Sequence, residues 1–324
     1  MRARSTGLAA FVLMIGMLPA MAPAQTWPQK PVRMIVPFAA GGGTDFIARL
    51  ASRQLSQRLG QQVVVENRAG ANGIIGMQAL KQSEPDGYTI AAASDGPLAI
   101  NLALYEGKLP YDTLRDFVPV GLLVRFPGVI VVHPSVPARS VGELLALARA
   151  KPNGLAYSSA GVGNFSHLAL ELLALQTGVK LLHVPYKGTG PAGAALVAGD
   201  VQLMFNNVQT ALPHMRASQI VAIATGEPKR LAAFPDLPAV GETVPGYAIW
   251  PYVGVVAPAA VPKDVVARLS REIYAVMRDP EVVKQLEDQQ TVPMPMETQE
   301  FTEHVRKDIE RWAGVIRTAG IKGE

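Results

Sequence analysis

Short apolar runs rich in Val and Ile alternate along the chain with longer segments that carry apolar residues at helical spacing. Such runs are typical of buried strands, and the longer segments are typical of helices packed on a sheet. Strands are predicted at Val32 to Pro37, Val63 to Glu66, Thr89 to Ala93, Val129 to Val132, Leu155 to Ser158, Leu181 to Val184, Leu203 to Phe205 and Ile220 to Ala224. Helices are predicted at Asp45 to Leu59, Val141 to Ala150, His167 to Gln176, Ala192 to Ala198, Val265 to Arg278 and Thr298 to Thr318. This alternation predicts an α/β fold with largely parallel strands.

The N-terminus is typical of a secretory signal peptide. Two arginines precede an apolar run from Leu8 to Ala20, and Ala22 and Ala24 are spaced as an A-x-A cleavage site. The run is shorter than the roughly 20 residues of a membrane-spanning helix, which favours a cleaved leader over an uncleaved anchor. We expect residues 1–24 to be removed on export and Gln25 to begin the mature protein.

The size and composition of the chain fit a globular protein with two domains. A chain of 324 residues exceeds the usual size of a single hydrophobic core. The formal net charge of +4 falls to +2 without the two leader arginines (4 − 2 = 2), and there is no long basic run, so nucleic acid is not expected as a partner. The chain has no Cys, which excludes disulfides and a lipid anchor at the cleavage site.

Glycine-rich turns connect predicted strands to predicted helices at three places. The first contains Gly41 to Gly43, directly before a helix that begins at Thr44 or Asp45. The second runs from Tyr157 to Leu168, and the third runs from His183 to Gly193. Ligands of open α/β sheets bind where strands end, and glycines leave backbone N–H groups at helix N-termini accessible to anions. The three turns together predict an anion-binding cleft.

The side chains at these turns are compatible with structural and with ligand-binding roles. Asp45 can cap the helix, pair with Arg49 four residues later, or contact a ligand. His167, on the first turn of its helix, can be a structural hydrogen-bonding residue or a functional one. Other polar candidates at the second and third turns are Ser158, Ser159, Asn164, Ser166, Tyr186, Lys187 and Thr189.

Neither a dinucleotide site nor a metal site is supported by the residue spacing. Gly188 to Gly193 matches G-x-G-x-x-G, but Pro191 interrupts the motif and no Asp or Glu follows about 20 residues later. The five His residues show no metal-ligand spacing. We therefore expect no cofactor and no catalytic metal.

An exported serine hydrolase is the alternative from a different functional class. The YSSAG segment resembles a nucleophile elbow, but Tyr157 occupies the position of the first glycine in G-x-S-x-G. Such an enzyme would use Ser158 or Ser159 with His167 and a carboxylate brought close by the fold. The sequence shows no convincing base or oxyanion arrangement, so we do not expect an enzyme.

The turns belong to a longer series of segments that resembles a known family. VPFAAGGGTDFIAR, YDTLRDFVPV, YSSAGVGNFSHL, HVPYKGTGPA and GDVQLMFNN occur in this order, followed by RLAAFPDLPAVGE and VGVVAPAAVPKDVVARL. On these segments the chain closely resembles the Bug family of periplasmic binding proteins, the receptors of tripartite tricarboxylate transporters. The resemblance extends over essentially the whole mature chain.

The resemblance implies a fold, a location and partners. The fold would be the two-lobed periplasmic-binding-protein fold, or Venus flytrap, in which each α/β lobe is a mixed sheet flanked by helices and the ligand lies in the interlobe cleft. Residues 25–124 and 252–324 would form one lobe and residues 125–251 the other. The protein would be a periplasmic monomer that binds a small organic acid and delivers it to membrane transporter subunits or signals to a membrane sensor.

The resemblance also implies which residues contact the ligand. A ligand carboxylate would lie between backbone N–H groups of the first turn and the glycine-rich turn of the second lobe. Tyr186 and Asn206 or Asn207 would line the variable end of the cleft. The ligand-binding residues implied are Gly43, Thr44, Asp45, Ser94, Ser159, Gly161, Gly163, Asn164, His167, Tyr186 and Asn206.

Two departures from the family pattern affect the expected ligand. Family members often carry Asp where this chain has Asn206, and Asn cannot supply the charge that would pair with a ligand ammonium. Asp95 places an acid at a strand end where the family usually has an uncharged residue. We interpret Asp95 as a solvated turn residue, with a contact to the ligand as the alternative.

Overall fold

The structure is a computed structural model that describes residues 27–323. Its strands are β1 Val32–Val36, β2 Val63–Asn67, β3 Thr89–Ser94, β4 Phe117–Arg125, β5 Gly128–Val132, β6 Ala156–Ser159, β7 Leu182–Pro185, β8 Leu203–Asn207, β9 Val221–Thr225, β10 Tyr252–Pro258 and β11 Val292–Glu297. Its α-helices are α1 Gly43–Leu59, α2 Ile74–Lys81, α3 Asn101–Leu104, α4 Thr113–Asp116, α5 Val141–Ala150, α6 Phe165–Thr177, α7 Thr189–Ala198, α8 Val208–Arg216, α9 Lys263–Val276, α10 Pro280–Asp288 and α11 Thr298–Ala319. A π-helical turn spans Gly96–Ile100. The predicted signal peptide, residues 1–24, lies outside the described residues.

The strands form two separate mixed sheets. The six-stranded sheet has the order β11-β4-β10-β3-β1-β2, and the five-stranded sheet has the order β7-β6-β8-β5-β9. Strand β1 is parallel to β2 and β3, and β6 is parallel to β7 and β8. Strands β10 and β5 are antiparallel to both of their neighbours. The two mixed sheets flanked by helices confirm the predicted two-lobed α/β fold.

The prediction of largely parallel strands was wrong, because the chain crosses twice between the sheets. It leaves the six-stranded sheet after β4, enters the other sheet at β5, and returns at β10. A strand that enters from the other lobe runs against its neighbours. The two crossing segments, residues 126–127 and 226–251, are adjacent, since Phe126 N donates to Pro251 O at 2.8 Å.

The apolar core is continuous across the two lobes. Trp312, Val315 and Ile316 of α11 pack in one cluster with Leu168 of α6 and Phe205 of β8, although α11 follows the six-stranded sheet in the chain. Because α11 packs on elements of both lobes, the two sheets alone do not show to which lobe this helix belongs. The lobe boundaries after residues 124 and 251 therefore remain a prediction.

Three strands were not predicted, and each of them contains proline. Strand β4 contains Pro119, which lies where the register of β4 against β10 shifts between Val255 and Val256. A bulge of this kind accommodates a residue that cannot donate to the ladder. Strand β11 reads VPMPME and lies at the sheet edge, where proline is tolerated. Strand β10, Tyr252–Pro258, ends at a proline.

The helices at the glycine-rich turns begin earlier than predicted. Helix α1 begins at Gly43, α6 at Phe165 and α7 at Thr189, two to three residues before the predicted starts. Pro191 is the third residue of α7, where the missing N–H breaks no helical hydrogen bond. The earlier starts bring the first N–H groups of these helices closer to the strand ends.

No helix within residues 27–323 combines the length and apolar character needed to cross a membrane. The same part of the chain contains no group of three or more His, Asp or Glu residues able to hold a metal ion.

Candidate functional site

A cavity of roughly 330 Å³ lies between the two lobes, lined by residues that follow strands of both sheets. The larger lobe supplies the β1–α1 turn and the end of β3, and the other lobe supplies the first turns of α6, α7 and α8. The end of β8 supplies Met204 to Asn207, and the remaining lining residues, Phe126, Pro251 and Tyr252, lie where the chain crosses between the sheets. The lining residues are Phe38, Gly43, Thr44, Ser94, Asp95, Phe126, Asn164, Phe165, Ser166, Thr189, Met204, Phe205, Asn206, Asn207, Gln209, Thr210, Pro251 and Tyr252.

Four helices begin at the wall of this cavity. Gly43, Phe165 and Thr189 are the first residues of α1, α6 and α7, and Asn207 directly precedes α8. Helices α1, α7 and α8 have no side-chain cap, whereas Asn164 caps α6 by accepting from Ser166 N at 3.0 Å. Uncapped first-turn N–H groups carry partial positive charge and bind anions. The helix starts therefore form a site of positive potential.

Among the lining residues there is no Lys, Arg or His, and Asp95 is the single carboxylate. The positive potential therefore comes from backbone dipoles and not from cationic side chains. Arg49, the basic residue nearest in sequence to the first turn, instead pairs with Asp45 at 3.0 Å. An anion in this cavity would be held by N–H groups and by neutral side chains.

Asn206 lines the cavity, and its hydrogen bonds fix the orientation of its side-chain amide. Its Oδ1 accepts hydrogen bonds from Asn207 N at 2.9 Å and from Thr210 Oγ1 at 2.6 Å. Because the backbone N–H can only donate, it sets the orientation of the amide. The NH₂ group is left as a donor at the start of α8, which suits a carboxylate and not an ammonium group.

The predicted site residues divide into two groups. Gly43, Thr44, Ser94, Asn164 and Asn206 line the cavity. The structure places six others outside its lining, namely Asp45, Ser159, Gly161, Gly163, His167 and Tyr186. Those six lie in or beside the same turns, where they hold the backbone.

Asp45 organises the turn before α1. Its Oδ2 accepts from Gly41 N at 2.9 Å and from Arg49 Nε at 3.0 Å, and its Oδ1 accepts from Asn67 Nδ2 at 2.9 Å. Burial by itself would raise the pKa of Asp45, but these hydrogen bonds outweigh it and lower the pKa to about 2. The pairing with Arg49 is confirmed, whereas the N-cap residue of α1 is Gly42.

Ser159 and the histidines hold the glycine-rich turn after β6. Ser159 Oγ lies 2.7 Å from His183 Nε2 and accepts from Gly161 N at 3.2 Å, and Gly163 N donates to His167 Nδ1 at 3.0 Å. The rings of His167 and His183 stack with centroids 3.8 Å apart. Burial lowers the pKa of His167 to about 3 and that of His183 to about 4, so both rings are neutral at pH 7. Ser159 is fully buried, which does not suit a nucleophile.

Backbone conformation and backbone hydrogen bonding describe the roles of the remaining predicted residues, Gly161, Gly163 and Tyr186. Gly163 has φ 71°, and a Cβ at this position would lie 2.3 Å from the side chain of Leu104 in α3, so both the backbone conformation and the close contact favour glycine here. Gly161 has φ 138°. Tyr186 contributes its backbone, since its N–H donates to Ser159 O at 3.0 Å.

Sequence reasoning missed most of the apolar lining and the start of α8. Phe38, Phe126 and Phe205 come from three different segments, so no local pattern indicates that they meet. Gln209 and Thr210 lie on α8, a helix whose interior Pro213 obscures its periodicity. The polar NNVQT sequence, which spans the end of β8 and the start of α8, was the available signal for a fourth helix start.

A second cavity of roughly 490 Å³ lies near the crossing segments and differs in character. Its lining includes Arg125, Glu227 and Arg230. Arg125 pairs with the buried Glu227, and Arg230 pairs with Glu242 at 2.8 Å. These three charges are paired, whereas Lys229 and Glu287 of the same lining form no ion pair within residues 27–323. Among the helices of the described residues, α8 at Val208 begins at this wall. The cavity between the helix starts is therefore the better candidate for ligand binding.

Two α/β lobes with a polar cavity between them define the class of periplasmic solute-binding proteins. The family model described as "Tripartite tricarboxylate transporter family receptor" matches residues 47–321. The chain is 36% identical to "Protein BugT" of Bordetella pertussis over 301 residues, which cover 92% of each chain. The protein belongs to this receptor family, and the predicted resemblance to the Bug family is confirmed.

Two solved structures of similar proteins contain carboxylates. "R. palustris Rpa4515 with adipate" is 34% identical, with a TM-score of 0.79, and the match covers 92% of this chain and 99% of that one. "MatC (Rpa3494) from Rhodopseudomonas palustris with bound malate" is 30% identical, with a TM-score of 0.75, and the match covers 90% and 100%.

Proposed function

We propose that the protein captures a small carboxylate-bearing metabolite in the cavity between its lobes and delivers it to the membrane subunits of a tripartite tricarboxylate-type transporter. The observation that carries the proposal is the convergence of four helix starts on a cavity whose lining, among the described residues, has no cationic side chain. Backbone N–H groups at helix N-termini are suited to carboxylates. Export of the chain, with cleavage of the leader before residue 25, would place this cavity in the periplasm.

Several neutral groups would complete the carboxylate site. The first-turn N–H groups of α1, beginning at Gly43 and Thr44, would contact the ligand from one lobe. Thr189 and the NH₂ group of Asn206 would contact it from the other lobe. Because groups from both lobes bind one anion, the ligand would stabilise the closed arrangement. The adipate and malate found with the two similar proteins support a carboxylate ligand.

The arrangement does not favour the hydrolase alternative. The nearest histidine to Ser159 is His183 and not His167, and the serine hydroxyl lies outside the cavity lining. A nucleophile would need to reach a ligand in the cavity. Ser159 and His183 instead bond to the turn that begins α6, so we propose a receptor and not an enzyme.

Calorimetry on the mature protein tests carboxylate capture. A thermal-shift screen of four- to six-carbon acids identifies the tightest ligand, whose affinity is then compared with that of its primary amide. Charge-assisted hydrogen bonds contribute about 1.5 to 3 kcal/mol each, so the amide should bind at least about tenfold more weakly. An amide that binds as tightly as the acid would overturn the proposal.

A matched pair of variants locates the site. Asn206→Asp keeps the oxygen that accepts from Asn207 and Thr210 but replaces the NH₂ donor with negative charge, so the acid should bind at least about tenfold more weakly. Asn153→Asp makes the same chemical change at an exposed turn and should leave the affinity unchanged. Equal affinities of the two variants would show that the acid binds elsewhere.

A further inference from the structure

Asp95 is a buried acid in the wall of the ligand cavity. It follows β3 directly, precedes the π-helical turn Gly96–Ile100, and is 4% exposed. Its Oδ2 is buried and has no hydrogen-bond partner within residues 27–323, although the residue lines the cavity. The interpretation of Asp95 as a solvated turn residue was therefore wrong. Tyr252 of β10 and the C-terminal helix α11 pack close to it and remove it from solvent.

The charged groups that face Asp95 leave it without a counter-ion. On α11, Asp308 pairs with Arg311 at 2.5 Å, and Arg311 also donates to Ala248 O at 3.0 Å. Burial lowers the pKa of His304, on the same helix, which disfavours its cationic form. Within residues 27–323 the neighbourhood of Asp95 therefore contains a second acid, Asp308, and one arginine, Arg311, which is bound to Asp308.

A buried carboxylate without a counter-charge is unfavourable unless a partner supplies one. Burial and the negative charge of Asp308 raise the pKa of Asp95 well above its ordinary value, while the N–H of Gly96 lowers it. The cavity lining contains no Lys, Arg or His that could pair with Asp95. The raised pKa favours the neutral acid in the ligand-free protein. A cationic group on a bound ligand would supply the charge that stabilises the carboxylate form.

We propose that Asp95 is a specificity-determining residue that accepts a hydrogen bond from a protonated amino group of the ligand, so that the preferred ligand is an amino-substituted carboxylic acid. The helix starts would bind the carboxylate, and Asp95 would bind the ammonium group. Complementary charges at two points of one cavity select ligands that carry both groups. This inference rests on the proposed function and adds the second recognition point.

Matched pairs of ligands test the inference by calorimetry. Succinate and aspartate, and glutarate and glutamate, differ within each pair only by an ammonium group. In at least one pair, the wild-type protein should bind the amino member at least about tenfold more tightly, as a charge-assisted hydrogen bond would provide. Asp95→Asn should abolish this preference and bind the unsubstituted member at least as tightly as the wild type does.

Asp116→Asn is the control, because Asp116 lies outside the cavity and pairs with Lys81 at 2.9 Å. This variant should keep the wild-type preference, and melting temperatures of both variants should establish that they are folded. Titrations in two buffers of different ionisation enthalpy provide a second readout. Binding of the amino member should release protons from the wild type and not from Asp95→Asn.

The possible failures are distinguishable. If the unsubstituted acids bind well and no pair shows a preference for the amino member, Asp95 does not select an ammonium group, while carboxylate capture stands. Proton uptake with a tightly bound unsubstituted acid would mean that a protonated Asp95 donates to a second carboxylate, which also overturns the inference. Binding of neither member of either pair would overturn the inference together with the proposed function.

Discussion

Asp45 and Asp95 are equally buried, with 4% of each residue exposed, but their surroundings differ. Asp45 accepts hydrogen bonds from Gly41, Arg49 and Asn67, and its pKa is lowered to about 2. Asp95 has an oxygen without a partner, and its pKa is raised by burial and by Asp308. The first acid is satisfied by its own chain and shapes the turn before α1. The second, on our proposal, accepts a hydrogen bond from the ammonium group of a ligand that enters the cavity.

Removing the satisfied acid should have the largest effect on stability. Asp45→Ala leaves the N–H of Gly41 and the amide of Asn67 without their acceptor, so we expect the free energy of unfolding to fall by about 2 kcal/mol. Urea unfolding of the ligand-free protein measures this change. Asp264→Ala, which removes an exposed acid from the first turn of α9, should change stability by less than about 0.5 kcal/mol. Equal losses in the two variants would show that Asp45 makes no special contribution.

The pH dependence of stability should have opposite signs at the two acids. The pKa of Asp45 is about 2 in the folded protein against 3.8 ordinarily, so its contribution is present above pH 4 and is lost as the pH falls towards 2. The pKa of Asp95 is raised, so the folded state binds more protons than the unfolded state and loses stability as the pH rises above 3.8.

The free energy of unfolding of each variant minus that of the wild type, plotted against pH, isolates the contribution of each acid. The stability of Asp95→Asn relative to wild type should increase as the pH rises above about 4, whereas the deficit of Asp45→Asn should shrink as the pH falls from 4 to 2. His167 and His183, whose lowered pKa values cause a loss of stability as the pH falls from 6.5 towards 3, are common to all the proteins and cancel. Difference curves that change in the same direction with pH for both variants would contradict the predicted difference between Asp45 and Asp95.

Removing only the basic partner of Asp45 should have the smallest effect. Arg49 has half of its side chain exposed, and Gly41 and Asn67 would still bond to Asp45 in its absence. Exposed ion pairs contribute little, so Arg49→Ala should lower the free energy of unfolding by about 0.5 kcal/mol. A loss as large as that of Asp45→Ala would mean that the ion pair, and not the turn, accounts for the role of Asp45.

The sequence indicated the pairing of Asp45 with Arg49 but not the burial of Asp95, for a physical reason. The contact between Asp45 and Arg49 lies within one helical turn, and the i, i+4 spacing indicates it directly. Asp95 is buried by β10 and α11, which lie far away in the chain, and β10 was not predicted as a strand. Local spacing therefore suggested a solvated turn.

The same distinction between local and distant information applies to the cavity. The glycine-rich turns are contiguous segments, and they predicted the helix starts near Gly43, Asn164 and Thr189 to within a few residues. The apolar lining combines Phe38, Phe126 and other residues from both lobes, which only the crossing of the chain brings together. Turn chemistry was predictable, whereas the assembly of the lining depends on how the two sheets meet.

The position of a bound carboxylate tests the central claim most directly. We predict that a crystal structure with the tightest-binding acid will show its carboxylate oxygens about 3 Å from first-turn backbone nitrogens of α1, α7 or α8, or from Asn206 Nδ2, with no Lys or Arg in contact. A carboxylate paired with a basic side chain, or an acid in the second cavity beside Arg125, would contradict capture by helix N-termini.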